Sequence, residues 1–169
     1  MKNKKGFTLI ELLAVIVVLA IVTVIATQSI LPLMSNAGRD AFASEANMAL
    51  QSAADAVSLV SLGSADSDHY TEIVDNSNNV TGYCFTLQNL KDLGFFDKDL
   101  GDASTPDYEG TVVVELGNTN SYTYKVEMHN EDYYVKTSGG DIIAENLTAD
   151  EPNGVGRYGE SVTLKTSCS

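Results

Sequence analysis

Glu11 is the residue whose type and position most directly suggest chemistry, because it is the one charged residue in the apolar run 7–26. A carboxylate inside a membrane helix costs about a few kcal/mol on insertion scales, although the cost is smaller one turn from the helix end. A buried charge is tolerable when an opposite charge matches it. The sequence therefore predicts a partner for Glu11.

A second group of candidates is the acidic loop that contains Asp97, Asp99 and Asp102, with Gly101 between the last two. Acidic residues at alternating positions and a glycine turn loosely fit a calcium loop, but the bidentate glutamate of an EF-hand is missing downstream. This loop is therefore a weak Ca²⁺ candidate, and a solvated acidic loop is the alternative. We expect no other metal site and no cofactor.

The residue types that commonly carry catalysis are not arranged for it. The two histidines, His69 and His129, lie in different segments without a matching metal set. The sequence contains neither a nucleophile elbow nor a zinc-protease pattern. It therefore predicts a protein that is not an enzyme.

The element that must position Glu11 begins after a basic leader. Residues 1–6 carry three lysines and end in Gly6, and the apolar run that follows is broken only by Glu11 and two threonines. A helix of about 20 residues spans about 30 Å, the thickness of the hydrocarbon core of a bilayer. The lysines predict that the leader stays in the cytoplasm and that the rest of the chain lies outside.

Two ordinary interpretations of this segment compete. A secretory signal would be cut after Ala37, in the sequence Ser35-Asn36-Ala37, but the apolar stretch before that site is longer than such signals have. An uncleaved membrane anchor fits the length. Neither interpretation explains Glu11.

Segment 5–13, with the sequence Lys-Gly-Phe-Thr-Leu-Ile-Glu-Leu-Leu, resembles the prepilin motif of the type IV pilin family. That family also includes the pseudopilins of type II secretion and the competence pilins, and the resemblance covers the leader and the apolar helix. It implies that a membrane aspartyl peptidase, the prepilin peptidase, cuts between Gly6 and Phe7. It also implies that Phe7 is then N-methylated and that the apolar helix stays with the product.

The resemblance further implies a role for Glu11 in assembly. Cutting after Gly6, which has no side chain to obstruct a protease, leaves a cationic amine on Phe7 in a low-dielectric setting, and Glu11 supplies the compensating anion. In the family, the corresponding carboxylate is thought to meet the amine of a neighbouring subunit. An intramolecular pair between Phe7 and Glu11, across one helical turn, is the alternative.

Cys84 and Cys168 are the two cysteines of the chain, and they match no metal spacing. An export signal implies an oxidising destination, where such a pair is most simply a disulfide. The bond would tie the C-terminus to the domain, for which chain entropy allows roughly 4–5 kcal/mol. Two buried free thiols are the alternative.

The helical pattern continues past the membrane segment. Apolar residues in the range 42–60 recur at steps of three and four and form one stripe, which we expect to pack on a sheet. Gly63 ends the helix. Pro32 and Gly38 interrupt the run and predict a kink or a melted stretch near residues 27–32.

The remainder of the chain is predicted to form a globular head. A short helix over residues 86–93, closed by Gly94, precedes several strand patterns with turn residues between them, which indicate an antiparallel meander. The predicted strands are Thr111–Leu116, Ser121–His129, Asp132–Thr137, Asp141–Asn146 and Ser161–Thr166.

The predicted fold class is therefore α+β, with a long N-terminal hydrophobic helix packed against a C-terminal antiparallel sheet. This is the lollipop shape that the resemblance implies. Four regions follow from it: a cleaved leader 1–6, a hydrophobic transmembrane or filament-core helix 7–31, an amphipathic second half of that helix 32–62, and a head domain 63–169.

The resemblance implies a structural subunit of an extracellular type IV pilus filament, polymerised through its N-terminal helix, for adhesion, twitching motility or biofilm formation. A minor pilin or a pseudopilin of type II secretion or DNA uptake is the alternative within the family. A membrane-anchored binding domain that never polymerises is the alternative outside it.

The implied partners are further copies of the chain, the prepilin peptidase, and the assembly platform with its ATPase. The precursor would lie in the cytoplasmic membrane, and the product in a pilus on the cell surface.

The formal net charge of −13 limits the other partners. Loss of the three leader lysines would change it to −16, and such a surface repels the phosphate backbone, so we expect no strong binding of nucleic acid by the subunit alone. Asn79-Val80-Thr81 and Asn146-Leu147-Thr148 match the N-glycosylation pattern, which is short and indicates little by itself.

Overall fold

In the computed structural model of the protein, the described residues are 7–102, 105–117, 121–137, 155–158, 162 and 164–168. Only the backbone is described for residues 29, 31–36, 102, 105–106 and 157. The chain divides into two units, Met1–Gly38 and Arg39–Ser169.

Helix α1 runs from Leu9 to Ser61. Its first part, Leu9–Gln28, has a mean hydropathy of 3.1, and every side chain in it is exposed in the isolated chain. By length and composition this part is able to cross a membrane. Apolar surface of this extent marks a site that a membrane or another protein covers.

The two threonines of this part compensate for their own polarity. The hydroxyl of Thr23 donates to the Leu19 carbonyl at 2.7 Å, and that of Thr27 donates to the Thr23 carbonyl at 2.8 Å. Because both hydroxyls are bonded within the helix, they add little cost to an apolar environment.

Helix α1 ends at the predicted glycine. Gly63 has a φ of +66°, and its N–H donates to the Val60 carbonyl at 2.9 Å, while the N–H of Ser64 donates to the Leu59 carbonyl at 3.0 Å. Glycine adopts this left-handed conformation without steric cost, and the two bonds satisfy carbonyls of the last turn. The prediction that the helix ends at Gly63 is confirmed.

Helical backbone continues through Pro32 and Gly38. Residues 27–32 are therefore helical in the single chain and not melted, and the predicted kink stays a prediction.

The second unit contains the remaining elements. A single 3₁₀ turn covers Ser67–His69, and helix α2 covers Leu87–Asp92. The strands in chain order are β1 Thr71–Val74, β2 Val80–Thr86, β3 Gly101–Asp102, β4 Thr105–Pro106, β5 Glu109–Leu116, β6 Tyr122–His129, β7 Tyr133–Lys136 and β8 Gly156–Arg157.

Six of these strands form one sheet in the order β1-β2-β5-β6-β7-β8, and all neighbours in it are antiparallel. The five strands β1, β2, β5, β6 and β7 form the body of the sheet, and β8 adds two residues at one edge. Among the described residues, strands β3 and β4 form a separate two-stranded sheet. The prediction of an α+β fold with an antiparallel sheet is confirmed.

The register of the sheet places its buried residues on one face. Phe85 lies opposite Val112, which lies opposite Val126, and all three are inaccessible to solvent. Because side chains alternate along a strand, the residues next to these three in the chain point to the other face of the sheet. We call the face with Phe85 the inner face and the opposite one the outer face.

The second half of α1 packs on the inner face through the predicted apolar stripe. Three alanines of the stripe, Ala46, Ala49 and Ala53, are inaccessible to solvent, as is Ala56, which was not predicted as part of it. Their small side chains allow the helix to approach the sheet closely. At one end of the stripe, the Phe42 ring lies 6.3 Å from that of Tyr108 and 6.1 Å from that of Tyr133, between ring centroids. Aromatic pairs at this spacing contribute beyond their buried area.

Helix α2 confirms the prediction made for residues 86–93. Thr86 caps its N-terminus through a reciprocal pair of hydrogen bonds with Asn89, and Gly94 follows its C-terminus with a φ of +80°. The sequence around it carries both signals.

Strands β1 and β2 were not among the predicted strands. Strand β1 has only four residues, and β2 contains a glycine, which weakens a strand pattern. The structure shows why Gly82 is there: a Cβ atom at this position would lie 2.5 Å from the Val114 carbonyl oxygen of β5.

The last predicted strand, Ser161–Thr166, is wrong over the residues of it that the structure describes. Residues 162 and 164–166 belong to no strand, although Val162 and Leu164 alternate with polar residues. Alternation of apolar and polar residues indicates that one side of a segment is buried. A segment that packs on the face of a sheet shows the same alternation as a strand that is hydrogen-bonded within it. The predicted strand Asp141–Asn146 lies outside the described residues.

Replacement of a stripe alanine tests the close contact between helix and sheet. We expect Ala49→Leu to lower the free energy of unfolding by about 1–3 kcal/mol, because extra methyl groups have no room there. Ala41→Leu is the control, since Ala41 is exposed on the same helix. Thermal unfolding of the full chain in detergent, followed by near-UV circular dichroism, measures both, and equal stability of the two variants would contradict the packing described.

Candidate functional site

The segment that the sequence singles out lies at the start of helix α1. Phe7 and Thr8 precede Leu9, the first helical residue, and the side chain of Phe7 is 87% exposed. Gly6 and the rest of the leader lie outside the described residues. The predicted cut between Gly6 and Phe7 therefore leaves one residue, Phe7, before Thr8, the N-cap of the helix.

Thr8 and Glu11 form a reciprocal cap at this helix start. The Thr8 N–H and the Thr8 hydroxyl both donate to Oε2 of Glu11 at 2.8 Å. The Glu11 N–H in turn points at the Thr8 hydroxyl oxygen, at 3.4 Å. This is the capping-box arrangement, in which two N–H groups of the first turn obtain partners that the helix itself cannot supply.

The cap holds the Glu11 carboxylate at the positive end of the helix dipole, beside the predicted new terminus. Cleavage would break the bond between Gly6 and Phe7, whereas the Thr8 N–H belongs to the next peptide bond. The cap therefore does not depend on the leader. The new amine on Phe7 would appear next to a carboxylate that is already oriented.

The partners of Glu11 within the described chain are neutral. They are an amide and a hydroxyl of one residue, so they satisfy hydrogen bonds without cancelling the negative charge. The described chain therefore supplies no cation for Glu11, and the role of Glu11 in assembly stays a prediction.

Sequence reasoning missed this cap, although its signal is present. The pattern Thr-x-x-Glu directly before an apolar run is the sequence form of a capping box. Thr8 is thus a capping residue that its own sequence pattern indicates.

Comparison with known proteins gives one match. Residues 1–27 match the family described as prokaryotic N-terminal methylation motif, which is typical of type IV pilins and of type II secretion pseudopilins. No curated protein and no solved structure matches the chain.

The chain therefore carries a prepilin-type N-terminus on an α+β, pilin-like fold. Proteins with this N-terminus are generally structural and not enzymatic. The motif implies processing by a prepilin peptidase and handling by an assembly machinery, and with the apolar helix it points to a membrane precursor and a surface or secreted product.

The structure pairs Cys84 with Cys168 in a disulfide, with a Cα–Cα distance of 5.6 Å. Cys84 lies on the outer face of β2, next to Phe85 on the inner face. The bond therefore attaches the end of the chain to the side of the sheet that α1 does not cover.

Residues 164–168, which we call the C-terminal segment, lie against the outer face near three strands. The Thr111 hydroxyl of β5 donates to the Lys165 carbonyl at 2.9 Å, and the Lys165 N–H donates to the Glu127 carboxylate of β6 at 2.8 Å. Thr111 lies directly opposite Glu127 in the register, so one residue of the segment contacts two neighbouring strands. The disulfide to β2 fixes the end.

The acidic loop of the Ca²⁺ candidate is held by lysines. The Lys98 ammonium bonds to the Glu45 carboxylate of α1 and lies 5.0 Å from the Tyr108 ring centroid. The hydrogen bond to Glu45 is the main cause that raises the pKa of Lys98. The Asp99 carboxylate accepts from the Gly101 N–H at 3.2 Å and lies 3.9 Å from Lys91.

These contacts give the loop a structural role. Among the described residues, no group of three or more His, Cys, Asp or Glu is arranged to hold a metal ion. The side chain of Asp102 lies outside the described ones, so the Ca²⁺ candidate formed by Asp97, Asp99 and Asp102 stays a prediction.

The two histidines have separate surroundings. His129 stacks on Tyr158 with 4.1 Å between ring centroids, and its Nε2 lies 3.7 Å from the Glu109 carboxylate directly across the sheet. His69 lies in the 3₁₀ turn. The described structure does not bring them together.

The first glycosylation pattern lies in the hairpin between β1 and β2. The side-chain nitrogen of Asn79, to which a glycan would be attached, donates a hydrogen bond to the Asp75 carboxylate at 3.1 Å. The backbone N–H of Asn79 donates to the same carboxylate at 2.9 Å. Chiefly the bond from the Asn79 N–H lowers the pKa of Asp75. The amide is thus engaged in the turn. Asn146 lies outside the described residues.

Removal of the disulfide tests the attachment of the C-terminal segment. In a Cys84→Ser, Cys168→Ser double variant we expect tryptic cleavage after Lys165 to become roughly tenfold faster, because the segment keeps only its hydrogen bonds to the sheet. Cleavage after Lys125, in the middle of β6, is the internal control and should change little. Mass spectrometry of timed digests measures both sites.

Equal rates after Lys165 in the variant and the parent protein would show that the disulfide does not hold the segment. Equal acceleration at Lys125 would show that it holds the whole sheet.

Proposed function

We propose that the protein is a structural subunit of an extracellular type IV filament, made as a membrane precursor and polymerised through helix α1. The observation that carries the proposal is the start of α1: a prepilin-type motif at residues 1–27 opens an apolar helix whose side chains are all exposed from Leu9 to Gln28. The second unit is folded around a core of its own.

The apolar helix supplies the driving force. In the membrane, lipid covers it, and outside the membrane only other apolar surface does so. Bundling the helices of many subunits keeps this surface from water, with the acidic second units on the outside. Partners in this route are the prepilin peptidase, the assembly platform with its ATPase, and further copies of the chain.

Glu11 sets the axial position of one subunit relative to the next in the proposed filament. The Phe7 amine of an incoming subunit meets the Glu11 carboxylate of a neighbour, and the charges cancel in a medium of low dielectric constant. The Thr8 cap supports this role because it orients the carboxylate and leaves its charge uncancelled. Adhesion, twitching motility or biofilm formation is the use we propose for the filament.

The second candidate is a minor pilin or pseudopilin that starts or tips a filament of a secretion or DNA-uptake system. The same motif favours it, since the motif is typical of both kinds of protein. Abundance separates the two: a major subunit forms the length of a filament, and a minor one is present in few copies.

Imaging of filaments tests the proposed function. The chain is expressed in a host with a type IV assembly system, with an epitope tag inserted between β3 and β4, and sheared filaments are labelled with gold. Label along the full length supports a major subunit, and label at one end supports the second candidate. Label only in the membrane fraction would contradict both.

Two substitutions of Glu11 separate charge from capping. Glutamine also serves in capping boxes, so Glu11→Gln keeps the helix start and removes the charge, whereas Glu11→Ala removes both. We expect both variants to give at least roughly tenfold less filament, because the neighbouring amine is left without its anion. Immunoblots of sheared and cell-bound fractions measure the yield.

Thr8→Val is the matched control, since it weakens the cap and leaves the charge. Normal filament yield from Glu11→Gln would show that the carboxylate acts only as a cap and that charge pairing does not set the register.

A further inference from the structure

A groove away from the N-terminal segment lies where the end of α1 passes the start of β6. It has a volume of ≈ 510 Å³ and opens to solvent. Helix α1 and the turn after it form one wall, and two tyrosines of β6, Tyr122 and Tyr124, form the other. The described lining residues are Ala54, Asp55, Val57, Ser58, Ser61, Leu62, Tyr122 and Tyr124.

The polar groups of the helix wall present negative charge or lone pairs. The Ser58 hydroxyl donates its proton to the Ala54 carbonyl at 3.1 Å, and the Ser61 hydroxyl donates to the Val57 carbonyl at 2.8 Å. Each hydroxyl therefore offers acceptor lone pairs to the groove. Asp55 adds a carboxylate, and no basic residue is among the described lining residues.

The tyrosine wall has the same polarity. Tyr122 and Tyr124 alternate on the inner face of β6, and their ring centroids are 6.4 Å apart with 49° between the ring planes. The face of an aromatic ring carries negative quadrupole charge, so a ring whose face borders a groove attracts a cation over that face. Burial is the main cause that raises the pKa of Tyr124, and the nearby charges of Tyr122 and Asp55 raise it further. Its phenol is therefore neutral at physiological pH.

We propose that this groove binds an organic cation, and specifically a methylated ammonium group carried by a small molecule such as choline. The π faces, the hydroxyl lone pairs and the Asp55 carboxylate all favour positive charge. Ala54, Val57 and the exposed Leu62 offer apolar contact to methyl groups on the nitrogen, and the acceptor oxygens of the groove attract its charge.

The surroundings disfavour anionic and neutral ligands. An anion meets a carboxylate in a chain of net charge −13, and a neutral ligand gains nothing from Asp55. Phosphocholine carries the same head group with an added phosphate, which Asp55 repels. The groove is larger than one methylated ammonium group and has room for the chain that bears it.

Calorimetric titration of the full chain in dodecyl maltoside tests the proposal at constant ionic strength. The titrants are choline, tetramethylammonium, phosphocholine and the neutral tert-butyl isostere of choline. We expect saturable binding of choline and tetramethylammonium, with the neutral isostere at least about tenfold weaker, since it fills the same space without charge. Phosphocholine should also bind more weakly than choline.

Three variants assign the binding to the groove. Tyr122→Leu should weaken choline binding roughly three- to tenfold, and Tyr122→Phe, which keeps the ring, should stay within about twofold of the parent protein. Asp55→Asn should weaken binding severalfold. Asp40→Asn is the matched control, because Asp40 is an exposed carboxylate of α1 outside the groove, and it should leave binding unchanged.

Equal affinity for choline and its neutral isostere would overturn the proposal. So would unchanged affinity in the Tyr122→Leu variant, or the absence of saturable binding of either cation. Circular dichroism of each variant checks that the fold is retained. The proposal stands apart from the proposed filament function, since binding is measured on the unassembled chain.

Discussion

The exposed apolar surface of helix α1 between Leu9 and Gln28 is the constraint on which the rest of the structure depends. Exposure of a continuous apolar surface of this length to water is unfavourable, so lipid or another apolar surface is expected to cover it. One carboxylate stands in this surface, at the first turn. Its cap with Thr8 makes the helix start well defined in a single chain, while its charge has no counterpart among the described residues. A capped helix start with an uncompensated charge suits a segment that is stable in a single chain and gains its counter-charge on association.

The second unit, in contrast, buries its apolar surface within itself. It buries the other half of α1 against the inner face of the sheet, with alanines where the two come closest, and it ties the chain end to the outer face through Cys84 and Lys165. Its acidic surface makes copies repel one another. That repulsion is screened over about 8 Å at physiological ionic strength. In the proposed filament, association would therefore come from α1, and the acidic charge would keep the second units in water.

Local patterns predicted the parts of this fold that local chemistry determines. The apolar run, Gly63 at the end of α1, the cap of α2 and the meander β5-β6-β7 each carry their signal in neighbouring residues. Strands β1 and β2 do not, because Gly82 is explained only by the approach of β5. The C-terminal segment has the alternation of a strand without being one. The bond between Lys98 and Glu45 joins residues far apart in the sequence, as does the groove between Asp55 and Tyr122, so neither had a local signal. The Thr8 cap did have one, in the pattern Thr-x-x-Glu.

In the proposed route the leader is removed and the apolar helix is kept, so that a new amine on Phe7 lies near the Glu11 carboxylate. Intact-mass measurement of the product recovered from outside the cell, with sequencing of its first residues, is the decisive experiment. We expect a chain that begins at Phe7 and carries one added methyl group on its nitrogen. A product that still begins at Met1 would contradict it, because the chain would then be an ordinary membrane anchor. A product that begins at Gly38 would contradict it as well, since the apolar helix would be lost.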